Sequence, residues 1–482
     1  MYLCLKNKLK QVQNKITPEN NEYIVFNKYG NKYLRKEKLE AMYKTVDFPY
    51  KLYLFGFGAI GKALLYILLK ILNIDKKKIF VYDFRDVVSF DTEIQIIHKK
   101  VTKNNYKFLL QKLSKNDIII DCAYNIGTND IISLCNKYGA KHINSCIQEW
   151  SDNNTLFTRH QELVKQKYSN PNFSCIVSMG CNPGCVSIWT KIALLKLAKE
   201  YNLLTKDFAQ IAYKLNIETI HISERDTQTT FNVKNINEYC NTWSSTGVSY
   251  IEEAFNNAEL TFGTHENISI YKNDIVSINN NYAVLKDIGA YLYAQSIVPY
   301  YGKYIGNIIC HDEAYTIGET LAMYKDGKLL YKPSVYYVYH PVNEAVMSVH
   351  EIKEKNHKIQ DSYRLLTSDI DYGQDILGLT FYLEKKQYWI GSLLDIHEAR
   401  YIFNDCNEFI NATISQVVAG YVSGIIHLII TSEYTGILFP DDLPYDIIKY
   451  QLPFLGDFIM KECNLPLNNN KLESFIINKK NT

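Results

Sequence analysis

The segment "YLFGFGAIGKALLY", residues 53–66, runs from an apolar strand through Gly56, Gly58 and Gly61 into a helical pattern. In such a turn the first glycine permits a tight bend, the second lets the backbone approach a pyrophosphate, and the third allows close packing of helix on strand. Ala59 and Ile60 complete the turn, and the helix N-terminus that follows faces the phosphates. The segment therefore predicts a dinucleotide-binding site.

A second predicted strand, "KKIFVYDF", ends at Asp83, 22 residues after Gly61. A carboxylate there can bond the ribose hydroxyls and repel a 2′-phosphate, which favours NAD over NADP. Arg85 follows two residues later, so the sequence does not exclude NADP as the cofactor. The alternative for the whole pattern is an ordinary glycine-bearing turn between a strand and a helix.

Alternating strand and helix patterns continue to about residue 180 and predict an α/β fold, a Rossmann-type doubly wound parallel sheet. From about residue 205 short, aromatic-rich strands without intervening helices indicate an α+β domain built on an antiparallel sheet. A long apolar helical pattern returns near residue 397. The predicted units are an N-terminal extension (1–45), a nucleotide-binding domain (46–180), a substrate domain (181–396) and C-terminal helices that pack back on the first domain (397–482).

Composition argues against several classes of protein. The 482 residues are 47% hydrophobic, enough for a sizeable core in two or three domains. The formal charge is only +2, and six of the 53 basic residues are Arg, the residue best suited to base and phosphate contacts. We therefore expect no nucleic-acid partner.

The cysteines and the apolar segments bear on location. The eleven cysteines include no CxxC pair, and the three residues between Cys181 and Cys185 are not a spacing typical of a metal site. We therefore expect reduced thiols, a cytoplasmic protein and no metal site. The N-terminus lacks the apolar core of a secretory signal. The run 413–432 contains Gln416 and His427 and predicts a buried helix rather than a membrane span.

Later segments place polar residues beside turn formers and aromatic residues. Carboxylates together with an indole face suit an aliphatic ammonium, whereas an acidic substrate would require Arg, of which this region has only Arg225 and Arg364. The alternatives are a plain turn, a solvated strand end, a core tryptophan and a solvated loop. The candidates are Asn182 in "CNPGC", Glu224 in "SERD", Trp243 in "NTWS", Glu252 or Glu253 in "YIEEAF", and His311 and Glu313 in "HDEA".

From about residue 50 to about residue 460 the chain resembles the homospermidine synthase family of the saccharopine-dehydrogenase-like group. The resemblance rests on "LFGFGAIG", "CNPGCVS", "SERDTQ", "NTWSSTG", "AELTFGTHE", "HDEAYTIGETL" and "YHPVNEAVMSVHE", which occur in the family's order. It implies a nucleotide-binding domain completed by C-terminal elements, an inserted α+β catalytic domain and a homodimer.

The resemblance also implies a reaction. Enzymes of this family use tightly bound NAD⁺ to take a hydride from putrescine, exchange ammonia for a second putrescine through a Schiff base, and return the hydride. The product is homospermidine, made from two putrescines or from spermidine and putrescine with release of 1,3-diaminopropane. An alkyl ammonium has a pKa of about 10.5 and must lose a proton before it reacts, which explains the need for carboxylates and a histidine.

Residue roles follow from the resemblance motif by motif. Asn182 is expected near the nicotinamide and the reacting amine, Glu224 on a substrate ammonium, and Trp243 as a cation-π surface. The further positions of the inner site match Glu253, with Glu252 as its competitor, together with His311 and Glu313. On the cofactor side, the resemblance implies that Asn125 and Thr128 lie near the NAD. Asn125 replaces an acidic residue of the family, and Gln148 also departs from the family pattern.

Two other functions remain open at this stage. A saccharopine- or carboxynorspermidine-type dehydrogenase would release NAD(P)H and bind a carboxylated substrate, which requires Arg in the pocket. A non-catalytic NAD-binding scaffold would use Trp243 and the carboxylates only as core and surface residues. The shortage of Arg argues against the dehydrogenase.

Overall fold

The computed structural model describes residues 32–87, 89–151, 155–166, 171–244, 248–358, 362–431, 436–463 and 469–477. Most of the predicted N-terminal extension, residues 1–31, lies outside this range. Its last part includes helix α1 (Lys32–Glu40), where the buried Arg35 pairs with Glu398 at 2.5 Å and with Asp457 at 3.4 Å. The end of the extension therefore packs on the C-terminal part of the chain.

The first part of the chain forms a parallel sheet with helices on its faces. Its elements are α1 Lys32–Glu40, β1 Val46–Asp47, β2 Leu52–Phe55, α2 Ala59–Ile71, β3 Leu72–Asn73, β4 Ile79–Asp83, β5 Gln95–His98, α3 Tyr106–Leu109, β6 Ile118–Asp121, α4 Thr128–Tyr138, β7 Lys141–Asn144, α5 Leu156–Lys165 and β8 Ser174–Ile176. The main strands lie in the order β8-β7-β6-β2-β4-β5. This confirms the predicted doubly wound sheet. Strand β2 pairs with β6 on one side and β4 on the other, so the glycine turn after β2 lies where the strand order reverses, the usual place for a ligand.

The middle of the chain contains a second, mixed sheet together with short strand pairs that lie outside it. Its elements are α6 Cys185–Glu200, α7 Phe208–Lys214, β9 Ile217–Asp226, β10 Thr229–Thr230, β11 Glu238–Asn241, α8 Val248–Phe255, β12 Asn257–Thr261, β13 Ile275–Asn279, β14 Tyr282–Ile288, β15 Tyr293–Val298, β16 Gly302–Ile309, α9 Asp312–Thr320, β17 Met323–Lys325, β18 Lys328–Tyr331, β19 Ser334–His340, α10 Asn343–Glu354, β20 Ser362–Leu365, β21 Ile370–Tyr372, β22 Gln374–Leu383 and β23 Gln387–Asp395. The long path through the sheet is β13-β14-β12-β19-β9-β22-β23, and β16 joins β15 to β19.

Strand pairs in this sheet are antiparallel, as predicted, except that β9 and β19 run parallel. The sequence does not show a parallel neighbour, because a long connection and not a local turn determines it. Strands β9 and β22 are buried along most of their length, so their polar side chains lie in the interior. Both strands place carboxylates deep in the protein, at Glu224, Asp226 and Asp375.

The C-terminal segment contributes to both sheets. Its elements are α11 Ile396–Ile402, α12 Ala412–Ile430, β24 Gly436–Leu438, α13 Ile448–Gln451, β25 Asp457–Cys463 and α14 Leu472–Phe475. Strand β24 pairs parallel with β8 at the edge of the first sheet, and β25 pairs antiparallel with β23 at the edge of the second. The sequence pattern had indicated helices here; the structure adds two strands, one for each half of the molecule.

Helix α12 is the core helix of this segment. In the described part of the chain it alone is long and apolar enough to cross a membrane, and 78% of an 18-residue window of it is buried inside the protein. The Asn411 side chain begins the helix by accepting the Ile414 N–H at 2.8 Å. The helix then packs against α2 and β7, which makes it a central support of the nucleotide-binding half.

Helix α12 packs tightly against its surroundings at Gly420. A methyl group there would collide with the carbonyl oxygen of Gly180, in the loop that follows β8. We expect Gly420→Ala to lower the free energy of unfolding by about 1–3 kcal/mol, the usual cost of overpacking, despite the better helix propensity of Ala. Urea denaturation measures this loss.

A matched control lies one turn along the same helix. Gly424→Ala would meet the side chains of Ile143, Met179 and Ile176 and no backbone carbonyl among its nearest neighbours, and side chains can move, so its cost should be smaller. A larger loss of stability in Gly424→Ala than in Gly420→Ala would contradict the prediction.

Candidate active site

A cavity of about 490 Å³ lies between the carboxyl ends of the parallel strands and the second sheet. It brings most of the predicted residues together. From the nucleotide-binding half it is lined by Gly56, Gly58, Ala59, Ile60, Gly61, Asp83 and Asn125, and beyond them by Asn182, Glu224, Trp243, Glu253 and His311. Of the predicted residues, Thr128 and Glu313 do not line it.

The glycine turn has the shape that a pyrophosphate requires. Gly56 has a φ of +84°, and a methyl group on it would lie 2.7 Å from the Cys122 carbonyl oxygen. A methyl group on Gly61 would collide with the carbonyl oxygen of Gly56. Helix α2 begins at Ala59 without a side-chain cap from the described residues, so its first N–H groups remain available to an anion at the cavity wall. These residues fit a dinucleotide.

Asp83 at the end of β4 is occupied by protein donors. One carboxylate oxygen accepts the Arg85 backbone N–H and Nε, each at 2.9 Å. The other accepts the Phe57 N–H at 2.7 Å and Arg85 Nη2 at 2.8 Å. A carboxylate has about four acceptor sites, so Arg85 must move before a ribose hydroxyl can bond this side chain. Ribose binding by Asp83 stays a prediction.

The remaining cofactor-side candidates differ in position. Asn125 lies in the loop after β6 and lines the cavity. Gln148, which follows β7, lines it as well. Thr128 is fully buried, and its hydroxyl accepts the Gln148 N–H at 2.9 Å and Asn144 Nδ2 at 3.2 Å. Thr128 therefore supports the loop that carries Gln148 and does not reach the cavity.

The other part of the cavity is the acidic end, lined by Asn182, Glu224, Trp243, Glu253, His311 and Tyr337. Glu224 on β9 accepts the Tyr337 hydroxyl at 2.5 Å and Asn182 Nδ2 at 2.7 Å, both on the same oxygen. Burial raises the pKa of Glu224 to about 7, although these two hydrogen bonds oppose the shift. Its carboxyl group can therefore exchange a proton near neutral pH.

His311 is the second group that can transfer a proton. Its Nδ1–H donates to Glu313, whose two oxygens lie at 2.8 Å and 2.9 Å. Burial alone lowers the pKa of His311, but the charges of Glu313 and Glu253 outweigh it and raise the value to about 9. Glu313 is buried behind the ring and acts on the cavity through His311.

Trp243 presents a half-buried indole to the cavity. The Asn241 side chain holds the backbone there by accepting the N–H groups of Trp243 at 3.0 Å and Ser244 at 2.6 Å. The indole lies 6.0 Å from the rings of both Tyr250 and Tyr339. A supported indole face on a cavity is a site for an organic cation.

Charge is divided between the two ends of the cavity. Among the described lining residues, Arg and Lys occur only at the nucleotide end, as Arg85, Lys99 and Lys100. The acidic end combines carboxylates and an indole with one histidine. No group of three or more His, Cys, Asp and Glu side chains within the described ranges could hold a metal ion. The acidic end is thus suited to an amine, because carboxylates outnumber the histidine there and no Arg or Lys of the described lining lies beside them.

The sequence does not single out one residue of the acidic end, Tyr337. Its hydroxyl donates to Glu224 and its ring lies 4.5 Å from that of His311, but the pattern around it indicates only a strand. The repeat of Tyr at 337 and 339 was the available signal, because alternate strand residues share a face. The choice of Glu253 over Glu252 stays a prediction, since the side chain of Glu252 lies outside the described part.

Comparisons with known proteins agree with this geometry. The family model of the saccharopine dehydrogenase NADP-binding domain matches residues 52–176, and that of the saccharopine dehydrogenase C-terminal domain matches residues 180–459. The homospermidine synthase of Mesorhizobium japonicum is 31% identical over 432 residues, 83% of this chain and 88% of that protein. That of Blastochloris viridis is 29% identical over 451 residues, 87% of this chain and 92% of that protein.

A solved structure is also similar. The homospermidine synthase of Legionella pneumophila, crystallised in complex with NAD, superimposes with a TM-score of 0.83 at 28% identity and covers 91% of this chain and 100% of its own. The glycine turn, the doubly wound sheet and the cavity shared with a mixed sheet define a nucleotide-dependent enzyme of the saccharopine dehydrogenase class. Within that class the chain belongs to the homospermidine synthase family.

Proposed function

We propose that this protein is an NAD-dependent homospermidine synthase, a transferase that joins an aminobutyl group to an amine. Two putrescines give homospermidine and ammonia, or spermidine and putrescine give homospermidine and 1,3-diaminopropane. One C–N bond breaks and one forms, so the net reaction transfers no electrons. The observation that carries this proposal is the acidic end, where Glu224, Glu253 and Trp243 share a cavity with the glycine turn.

Each side chain of the acidic end has a defined task in this proposal. When bound, NAD⁺ would accept a hydride from the substrate carbon next to the reacting nitrogen and would later return it. Glu224 takes a proton from the reacting ammonium, while Asn182 orients that carboxylate by its 2.7 Å hydrogen bond. His311, held by Glu313, protonates the departing nitrogen. Trp243 and Glu253 hold the distal ammonium, which stays charged.

A dehydrogenase of the same class is not favoured, because its carboxylated substrate calls for Arg or Lys, neither of which lines the described acidic end, and the one histidine there already pairs with Glu313. A scaffold without catalysis would not need buried carboxylates such as Glu224 and Glu313, whose desolvation costs stability.

The pH dependence of kcat/KM should be bell-shaped. Glu224 accepts a proton only when ionised, so activity should rise as the pH passes about 7, the value to which burial raises its pKa. His311 donates a proton only when charged, so activity should fall as the pH passes about 9, where its carboxylate neighbours hold its pKa. Initial rates across this range test both limbs. A profile that keeps rising through both values would contradict the assignment.

Trp243→Ala should cost far more activity than stability. A cation-π contact is worth about 1–2 kcal/mol in a desolvated site, so kcat/KM for putrescine should fall about 5- to 30-fold. Trp243→Phe keeps an aromatic face and is the matched control, with a smaller expected loss. If Trp243→Ala lowered the melting temperature but left turnover intact, Trp243 would be a core residue only.

The central experiment is a product assay with putrescine and an NAD⁺ concentration well below that of the substrate. Mass spectrometry should show many molecules of homospermidine for each NAD⁺, with ammonia released and no net absorbance at the NADH band. NADH that accumulates in step with product would make the protein a dehydrogenase. No product from either substrate pair would leave the scaffold.

We further propose that the protein is a cytoplasmic homodimer. Support for the cytoplasm comes from its described cysteines, which are free and mostly buried thiols. Support for the dimer comes from the family resemblance. Light scattering after gel filtration should give twice the chain mass of 55.9 kDa, and a monomer would overturn this part of the proposal.

A further inference from the structure

Asp312 connects the two halves of the molecule immediately beside the acidic end. It follows His311 in the chain, begins α9, and is 3% exposed. One of its oxygens lies 2.6 Å from His160 Nε2, and the other accepts the Ser178 hydroxyl at 2.5 Å. Both partners belong to the nucleotide-binding half, His160 on α5 and Ser178 after β8.

Both partners of Asp312 are themselves fixed. The Ser178 N–H donates to Asn144 Oδ1 at 3.0 Å, which ties it to β7. The His160 ring stacks on Phe439 with centroids 5.3 Å apart, next to β24. Because Ser178 is bonded to β7 and the His160 ring packs beside β24, the Asp312 carboxylate is anchored to the nucleotide-binding half at two points.

The same link passes close to two residues of the acidic end. Ser178 lies four residues before Asn182 in one loop, and Asp312 is the chain neighbour of His311. A bond between Ser178 and Asp312 therefore joins the segment that carries Asn182 to the segment that carries His311. These two segments come from different halves, and their separation determines whether a substrate nitrogen reaches both groups.

We propose that Asp312, through His160 and Ser178, is the positioning residue that holds His311 in register with Asn182 across the boundary between the halves. The inference deepens the proposed function and rests on it. Asp312 does not line the cavity and acts only through His311.

The charge of Asp312 provides a readout beyond geometry. Burial opposes its ionisation, but His160 and Ser178 outweigh burial and hold the pKa of Asp312 below its usual value, so it is an anion at neutral pH. That anion is one of several carboxylates that raise the pKa of His311. The charged and titratable groups that face His311 are Glu313 and Asp312 on α9, Glu253 on α8, Glu224 on β9 and Tyr337 on β19.

The test compares Asp312→Asn with the unmodified protein. The amide keeps the shape but loses the charge and one acceptor. We expect NAD binding by calorimetry within threefold, kcat lower by about 100-fold, as for a misplaced catalytic group, and a KM for putrescine within threefold. The alkaline limb of the pH profile should move to lower pH, because His311 loses a neighbouring anion.

Glu259→Gln is the matched control. Glu259 on β12 accepts the Leu156 and Phe157 N–H groups at 3.1 Å and 3.0 Å, so it holds the same helix α5 to the same second sheet without touching His311. It should leave the alkaline limb in place and lower kcat far less than Asp312→Asn. Equal losses of kcat in both variants with an unmoved limb would overturn the proposal, as would an unchanged kcat in Asp312→Asn.

Single-arm variants keep the test decisive if Asp312→Asn does not fold. Ser178→Ala and His160→Gln each remove or weaken one bond, and Ser178→Ala keeps the His160 partner that maintains the Asp312 anion. Each should lower kcat about tenfold with NAD binding intact, and the alkaline limb should stay unmoved in Ser178→Ala. An unchanged kcat in both would overturn the proposal. Failure of the proposed function is distinct, because the unmodified protein would then make no homospermidine.

Discussion

Glu224→Gln should lower the kcat for homospermidine formation by about 10²- to 10⁴-fold, the range for loss of a general base. The amide cannot take a proton from an ammonium, yet its oxygen can still accept the bonds from Tyr337 and Asn182, which lie at 2.5 Å and 2.7 Å in the carboxylate form. Burial already favours the neutral carboxyl group, so the substitution should leave the fold intact. Single-turnover product formation, with melting temperature and NAD binding as companions, measures this.

Glu218→Gln is the control for this experiment. Glu218 lies near the other end of the same strand and does not line the cavity. Its carboxylate accepts a hydrogen bond from Asn470 Nδ2 at 2.8 Å. It should change kcat by less than threefold. Retention of more than a tenth of the activity in Glu224→Gln would remove Glu224 from the proton-transfer steps and leave it a substrate-binding role.

The second large effect is expected for His311→Gln, with kcat lower by about 10²- to 10³-fold. A glutamine can still donate to Glu313, so the buried carboxylate keeps a partner, but no group remains that protonates the departing nitrogen. The alkaline limb near pH 9 should disappear, because it reports His311. Rate profiles of both proteins across this limb provide the measurement.

Two results would contradict this prediction. An unchanged alkaline limb in His311→Gln would assign that limb to the substrate amine, whose pKa of about 10.5 also lies in the alkaline range. An equal loss of kcat and of NAD affinity would show that the substitution disturbs the cavity as a whole. Glu313→Gln keeps the imidazole but removes the anion behind it, so the alkaline limb should move to lower pH without disappearing.

The sequence predicts this molecule well where local patterns carry the information. The glycine turn predicts both the nucleotide domain and its cofactor end, since strand, turn and helix are contiguous. The short motifs predict Asn182, Glu224, Trp243 and His311 as one set, and the structure places them around one cavity.

What the sequence does not show depends on contacts between distant residues. Tyr337 reaches Glu224 because β19 pairs parallel with β9, a register that no local pattern determines. The "HDEA" motif by itself is also compatible with a solvated loop, and only the packing of α5 against α9 reveals the partners of Asp312. Likewise, the four donors on Asp83 become visible only when Arg85 folds back on it.

The strands β24 and β25 bear on how the protein is synthesised. A nascent chain that has left the ribosome only as far as α12 presents β8 and β23 as open edges, because their last partners are still being translated. The first sheet can be completed only after residue 438 has emerged and the second only after residue 463 has, although the glycine turn was made roughly 400 residues earlier. We therefore expect the two halves to mature together after translation, with chaperones shielding the open edges in the meantime.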